Sequence, residues 1–555
     1  MRSTAGVPRP PAPVARTLFA LLAEQARTAP SREAVVTATE RMTYRDLLEA
    51  SRGVDAALRA GDLKAGDRVA LLTSNRPEWL ATAFGCASAG GVLTPYNTWV
   101  KPWDLAYLLE HSKPSVLVTM DRMGRQDFVQ YLSELLPELW ETEPGRWRSD
   151  RFPSLRTVVV VGDAVPPGAV RYSQWAAAAQ AAPSEPAVEL ADPDAVAMVL
   201  YTSGSTARPK AVPLRHGHLI ENGFEIGERE GLTAQDRIFL ASPLCWAYGG
   251  ANALMACLTH GATLVLQDQF EPAGALTLLE QAGCTAMYTL PVMTRALIAE
   301  RTFHRNRLRS LRRGLTLGPP AEIRLAAEEL GIDQICNIYG STETYGNCCV
   351  TPFDAPLQRR AVSQGPPLPG VQIRIVDAEG RPLSPGQEGE IQVKGRITPG
   401  YLDAAGVPVP VCDGSGYYHT GDLGVLDEDG WLEFRARDSE MIKTAGINVS
   451  PLEVEEFLLS HPDVSEVAVA GGEDLVRGQQ VVAFVRLKAD ATTTPEQLRE
   501  WCRSSIAGYK VPSIIVNIEE FPTTPTGKLA RRDLTILATE ALTSASATEG
   551  KDGRK

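Results

Sequence analysis

Between Thr202 and Thr206 four hydroxyl side chains surround a single glycine, within the run Tyr201-Thr202-Ser203-Gly204-Ser205-Thr206-Ala207-Arg208-Pro209-Lys210. Gly204 lets the backbone approach a ligand without a clashing Cβ, and successive N–H groups in such a loop form a nest for anions. Lys210 adds positive charge at the far end, so a polyphosphate is the natural guest. The spacing Gly-x-x-x-x-Gly-Lys-Ser/Thr is not present, so this is not a phosphate loop of that type. Taken alone, the run would also serve as a Ser/Gly-rich connection between strands.

Further groups suited to nucleotide chemistry follow. In Asn337-Ile338-Tyr339-Gly340-Ser341-Thr342-Glu343, Tyr339 offers an aromatic face and Asn337 an amide able to read the polar edge of a base. Thr342 adds a hydroxyl and Glu343 a hard oxygen ligand. Asp422 follows a tight glycine turn in Tyr418-His419-Thr420-Gly421-Asp422, a common arrangement on its own. In Phe521-Pro522-Thr523-Thr524-Pro525-Thr526-Gly527-Lys528, two prolines and a glycine present one lysine on a stiff loop. Trp246, Tyr248, Tyr345 and Gly346 suggest an apolar, partly aromatic substrate pocket, although core aromatics would explain the same residues.

The elements that must hold these groups alternate between strand and helix. The apolar run Ala195 to Leu200 reads as a buried strand entering the loop. Asp67 to Leu72, Gly90 to Pro95, Ser115 to Thr119, Thr157 to Val161, Arg237 to Ala241, Ala262 to Leu266 and Cys284 to Tyr288 read as further strands. Helical spacing marks Leu18 to Ala26, Pro77 to Ala89 and Leu105 to Glu110, and Thr43 to Leu48 resembles a capped helix start. This order predicts an α/β architecture with largely parallel sheets. After about Pro366 the period changes to two, in Val371 to Val376 and Gly389 to Lys394, which predicts a small antiparallel β subdomain. Beyond Arg437, one helix, two strands and another helix make a compact α+β piece. The domains expected are a disordered lead at 1–14, a large domain at 15–437, a small one at 438–540 and a disordered tail at 541–555.

Taken in order, these blocks closely resemble those of the adenylate-forming superfamily: acyl- and aryl-CoA synthetases, adenylation domains of peptide synthetases, and luciferases. The resemblance runs from about residue 17 to 535. It implies a large N-terminal domain of α/β subdomains followed by a small, mobile C-terminal lid. It also implies ATP, Mg²⁺ and coenzyme A as cofactors. Thr202, Ser203, Gly204, Ser205, Thr206 and Lys210 would form the phosphate loop, with Gly318 also in the nucleotide site. Asn337 and Tyr339 would hold adenine, Thr342 the α-phosphate and Glu343 the Mg²⁺. Asp422 would accept both ribose hydroxyls, Arg437 would contact ribose and phosphate, and Ser439 would sit at the hinge. Gly446 would line the pantetheine channel. Lys528 would bridge the acyl carboxylate and the α-phosphate, acting in catalysis beside Thr342 and Glu343. Arg477 and Lys510 are candidates for the CoA 3′-phosphate.

The family pattern is departed from at Ala207, where glycine is usual, at Ser439, where Asp or Lys is usual, and at Cys245-Trp246, where an aromatic and a histidine stand. No Asp lies between Ser242 and Gly250. Amino-acid-activating members need one there to pair with the α-ammonium, so an amino-acid substrate is disfavoured. The reading is an acyl- or aryl-CoA synthetase. The alternative acceptor is a carrier-protein thiol or another nucleophile. A non-catalytic nucleotide binder is opposed by Glu343, Asp422, Arg437 and Lys528.

Composition narrows the remaining classes. At 555 residues two or more domains are expected. A net charge of −12 argues against a duplex nucleic-acid partner. Nine cysteines without a Cys-x-x-Cys pair suggest a reducing compartment, and cytoplasmic location is the default. No run approaches the length of a transmembrane helix. His216 and His218 read as helix-surface residues rather than metal ligands, and no Gly-x-Ser-x-Gly stands in register with a His and acid pair.

Overall fold

The computed structural model describes residues 10–178, 192–202, 208–437, 441–488, 490–522 and 529–552. The chain divides into a large unit (Met1–Thr98, Leu108–Leu200 and Ala211–Arg437) and a small unit (Trp99–Tyr107, Tyr201–Lys210 and Asp438–Lys555).

The large unit is built on two extended sheets with mainly parallel cores. In one, Val196–Thr202, Val92–Pro95, Arg68–Leu72, Val116–Met120 and Thr157–Val161 run side by side in parallel register. In the other, the parallel order is Gln334–Tyr339, Arg313–Thr316, Ala286–Tyr288, Arg237–Leu240, Thr263–Leu266 and Glu33–Val36. Several of these strands, such as Val116–Met120, Thr157–Val161 and Thr263–Leu266, are near-continuous apolar runs because both faces of a parallel sheet are covered. Val116–Met120 is buried at every position. The helix Tyr44–Ala60 begins at a reciprocal Thr43/Asp46 capping box, and Pro77–Ser88 opens with proline at its first turn.

The expected change of period after Pro366 corresponds to an antiparallel sheet ordered Gln372–Val376, Glu388–Lys394, Tyr418–Leu426 and Leu432–Arg437. The small unit carries a second mixed sheet. Gly478–Leu487 pairs antiparallel with Val464–Asp474 and parallel with Ile514–Asn517. Pro451–Leu459 and Pro495–Ser505 cover it, and Val454, Phe457, Leu458, Leu498 and Cys502 form its core.

Two expectations are corrected. The tail from Leu542 is not structureless: one helix spans Arg531–Asp552. Leu534 and Ala538 are buried, and Leu542 packs with them against Ala468 and Phe484. That stripe recurs every fourth residue, which the Ser/Ala/Thr-rich composition concealed. His216 is not at a helix surface either. It is buried at the start of His216–Glu230, its Nδ1 accepts from Leu18 N, and burial pushes its pKa down to about 4. The partly buried His218 ring stands edge-on to Tyr345. All nine cysteines are free thiols, and no described helix is long and apolar enough to cross a membrane.

Candidate active site

The end of the strand Gln334–Tyr339 delivers the nucleotide segment. Tyr339 donates through its hydroxyl to Asp422 Oδ2 at 2.8 Å, across 83 residues of sequence. Its ring stacks on Phe434, with centroids 6.0 Å apart. Burial, then the Asp422 charge, push the Tyr339 phenol well above its ordinary pKa, so it remains a donor. Asp422 is buried, its N–H donates to Thr420 Oγ1, and the antiparallel register sets it opposite Arg437. Two sequence-predicted ribose contacts thus become cross-strand neighbours.

Four residues beyond Tyr339, Glu343 lies in the turn Thr342–Thr344 and is 8% exposed. Its Oε1 accepts from the Tyr401 hydroxyl at 2.8 Å, and among the described residues no donor reaches its other oxygen. Among the described residues no three His, Cys, Asp or Glu side chains form a metal cluster. A cation at Glu343 would therefore draw its remaining ligands from phosphate and water oxygens, which is how Mg²⁺ is commonly held. The single hard, anionic, partly committed carboxylate fits that ion.

Asn337 makes two hydrogen bonds within the fold. It is 0% exposed, its Nδ2 donates to Ser363 O, and its Oδ1 accepts from Ile338 N. Tyr345 is also held by the fold. It is fully buried at φ +61°, its hydroxyl accepts from Arg215 N, and its carbonyl accepts from Asn222 Nδ2. A Cβ on Gly346 would meet the Asn252 amide at 2.2 Å, so the absence of a side chain here allows close packing. Gly318 has φ +134°, with Pro291 and Glu322 beside it.

Trp246 and Tyr248 flank the start of a π-helical stretch, Ala247–Ala253, a form that recurs at functional sites. A Cβ on Gly249 or Gly250 would stand 2.3 Å from the carbonyl of Pro243 or Leu244, so the wide turn depends on both glycines. Tyr248 donates to the carbonyls of Thr289 and Leu315 at strand ends, and its ring lies 5.3 Å from that of Tyr288. Beneath them, Tyr288 donates to Glu230, a carboxyl with 0% exposure that sequence reading missed. Burial raises the Glu230 pKa to about 8.

Within the small unit, Thr202 ends one strand and Lys210 begins the next. Arg208 pairs with Glu456 at 2.6 Å and lies over the rings of Trp103 and Tyr107. Ser203, Gly204, Ser205, Thr206, Ser439 and Lys528 lie outside the described residues. Gly446 occupies the two-residue turn of the hairpin Ile442–Thr444/Ile447–Val449, with positive φ at both Ala445 and Gly446. It is exposed, and nothing lies within 4 Å of where its Cβ would be. Lys510 is not available to a CoA phosphate. It is buried, with Nζ 2.7 Å from Asp104 Oδ1 and 2.6 Å from Glu453 Oε1. Tyr401 was not singled out because nothing local distinguishes it among fourteen tyrosines.

Comparison with known proteins gives the family. The family model of the AMP-binding enzymes matches residues 22–402, and that of their C-terminal domain matches 453–528. The Bacillus subtilis (strain 168) protein YngI is 31% identical over 93% of this chain and 96% of its own length. The mitochondrial medium-chain acyl-CoA ligase ACSF2 of Mus musculus is 30% identical over 90% of this chain and 84% of its own. Among solved structures, o-succinylbenzoate CoA synthetase (MenE) of Bacillus subtilis, bound with a product analogue, superposes with a TM-score of 0.76 at 25% identity, covering 93% of this chain and 98% of that one. The chain belongs to the AMP-binding enzymes, in the acyl- and aryl-CoA synthetase branch of the adenylate-forming superfamily.

Proposed function

We propose that the protein condenses a carboxylic acid with ATP, forming acyl-AMP and pyrophosphate, and then transfers the acyl group to the CoA thiol with release of AMP. In this reading the loop Thr202–Thr206 and Lys210 cradle the phosphates, Tyr339 and Gly318 border the nucleotide, and Asp422 and Arg437 engage ribose. Thr342 contacts the α-phosphate, and Glu343 would hold Mg²⁺, whose charge would assist adenylyl transfer and departure of pyrophosphate. A carboxylate attacking a phosphate brings like charges together, and Lys528 offsets that repulsion as the transition state forms. Gly446 leaves room for the pantetheine arm. Without an Asp between Ser242 and Gly250, the acid is an aryl or medium-to-long alkyl acid without an α-amine, since an unpaired buried ammonium would cost about 2–5 kcal/mol.

The observation that carries the reading is the pair Glu343 and Asp422, each bound by a tyrosine hydroxyl, with Glu343 inside the span that the AMP-binding model matches. The test is pyrophosphate release over a panel of carboxylic acids, with and without CoA. Acid-dependent pyrophosphate and AMP, with thioester formed on adding CoA, is expected. ADP as the nucleotide product, or efficient pyrophosphate exchange with an α-amino acid, refutes it. Acyl-AMP that discharges only to a carrier protein refutes CoA as the acceptor.

A further inference from the structure

The Glu343 carboxylate does not orient itself. Its Oε1 accepts from the Tyr401 hydroxyl at 2.8 Å, while its backbone carbonyl accepts from Thr398 N at 2.8 Å. Both donors belong to one stretch of four residues. Tyr418, at the start of the strand Tyr418–Leu426 that carries Asp422, acts electrostatically on the Tyr401 phenol. At the other end, Tyr339 donates to Asp422. The segment Tyr339–Glu343 is therefore held at both ends, by Asp422 at Tyr339 and by Tyr401 at Glu343.

The chemistry of the tie matters. Arg or Lys at position 401 would fix the carboxylate but cancel its charge and compete with a cation. A phenol donates one hydrogen bond and leaves the negative charge in place. We propose that Tyr401 is a positioning residue, whose hydroxyl sets the Glu343 carboxylate so that its remaining oxygen is presented to the Mg²⁺ that accompanies ATP. This inference rests on Glu343 being the metal ligand in the reading above. Hydrogen bonds that orient a ligating carboxylate typically govern metal affinity or activity by about 10–100-fold.

Calorimetric titration of a non-hydrolysable ATP analogue tests it without relying on turnover. Wild type, Tyr401→Phe, Tyr418→Phe and Glu343→Gln are each titrated with Mg²⁺ and with EDTA. In Tyr401→Phe the tightening caused by Mg²⁺ should shrink about tenfold, while metal-free affinity and melting temperature stay at wild-type values. A general structural defect would instead weaken both affinities. Tyr418→Phe should show a smaller loss in the same direction, and it carries the test if Tyr401→Phe does not fold. An undiminished Mg²⁺ effect in the tyrosine variants, with the effect lost in Glu343→Gln, overturns the positioning role alone. Retention of the full effect in Glu343→Gln overturns the ligand assignment and the inference together.

Discussion

Glu230 offers a measurement whose sign and size follow from its surroundings. The side chain is fully buried, one oxygen accepts from Tyr288, and the other has no hydrogen-bond partner among the described residues. Asp236 and Arg313 are the charged groups acting on it. Burial is the largest cause of a pKa raised from 4.5 to about 8, so the folded protein holds this carboxyl neutral where the unfolded chain ionises it. A folded state that keeps the extra proton loses stability as pH rises, from the unfolded value near 4.5 to the folded value near 8. Each pKa unit corresponds to about 1.4 kcal/mol, so between pH 5 and pH 8 the loss is about 3–4 kcal/mol. Glu230→Gln cannot ionise and should not lose it. Unfolding of the wild type and the variant is followed in denaturant at pH 5, 6.5 and 8 through the large unit's transition. The stability difference should move in favour of Glu230→Gln by about 3 kcal/mol across that range. Taking a difference of differences cancels the packing cost of the amide and the titration of every other group. A difference that stays constant within about 1 kcal/mol would show that Glu230 is already ionised in the folded protein, and the desolvation argument would fail.

Other consequences can be checked directly. Lys510→Met should leave Asp104 and Glu453 as facing, unpaired carboxylates and destabilise the small unit by about 3–5 kcal/mol, without raising the KM for CoA; a selective rise in that KM would restore Lys510 as a phosphate contact. Lys528→Ala should lower acyl-AMP formation by about 10²–10³-fold yet spare thioester formation from supplied acyl-AMP and CoA. Gly446→Trp should do the reverse, because the site is open to a side chain and backbone strain there is limited to about 1–3 kcal/mol. Equal damage to both half-reactions by these last two variants would end the separation of their roles.

What the sequence disclosed and what it hid divide along a physical line. Strand runs, the Thr43 cap and the change of period after Pro366 are local, so their residues carry the signal themselves. Roles within the site depend on partners far along the chain: 83 residues separate Tyr339 from Asp422, 58 separate Glu343 from Tyr401, and 406 separate Asp104 from Lys510. Residue type and spacing nominated Asn337 and Glu343 with equal force, and only hydrogen-bond accounting tells them apart. Asn337 commits one of its two N–H donors and one acceptance at Oδ1 inside the fold, so turning it wholly toward a base would orphan two buried backbone groups, at about 1–3 kcal/mol each. Glu343 spends one oxygen and keeps the other. The same accounting removes Lys510, whose charge is held by two carboxylates, and shows that the Tyr345 hydroxyl already serves a backbone N–H. A polar side chain at a candidate site is available to a ligand only to the extent that the fold has left it unsatisfied. By that criterion Glu343, with one oxygen committed to Tyr401, keeps the other for a ligand, whereas Asn337 has more of its polar capacity tied into the fold.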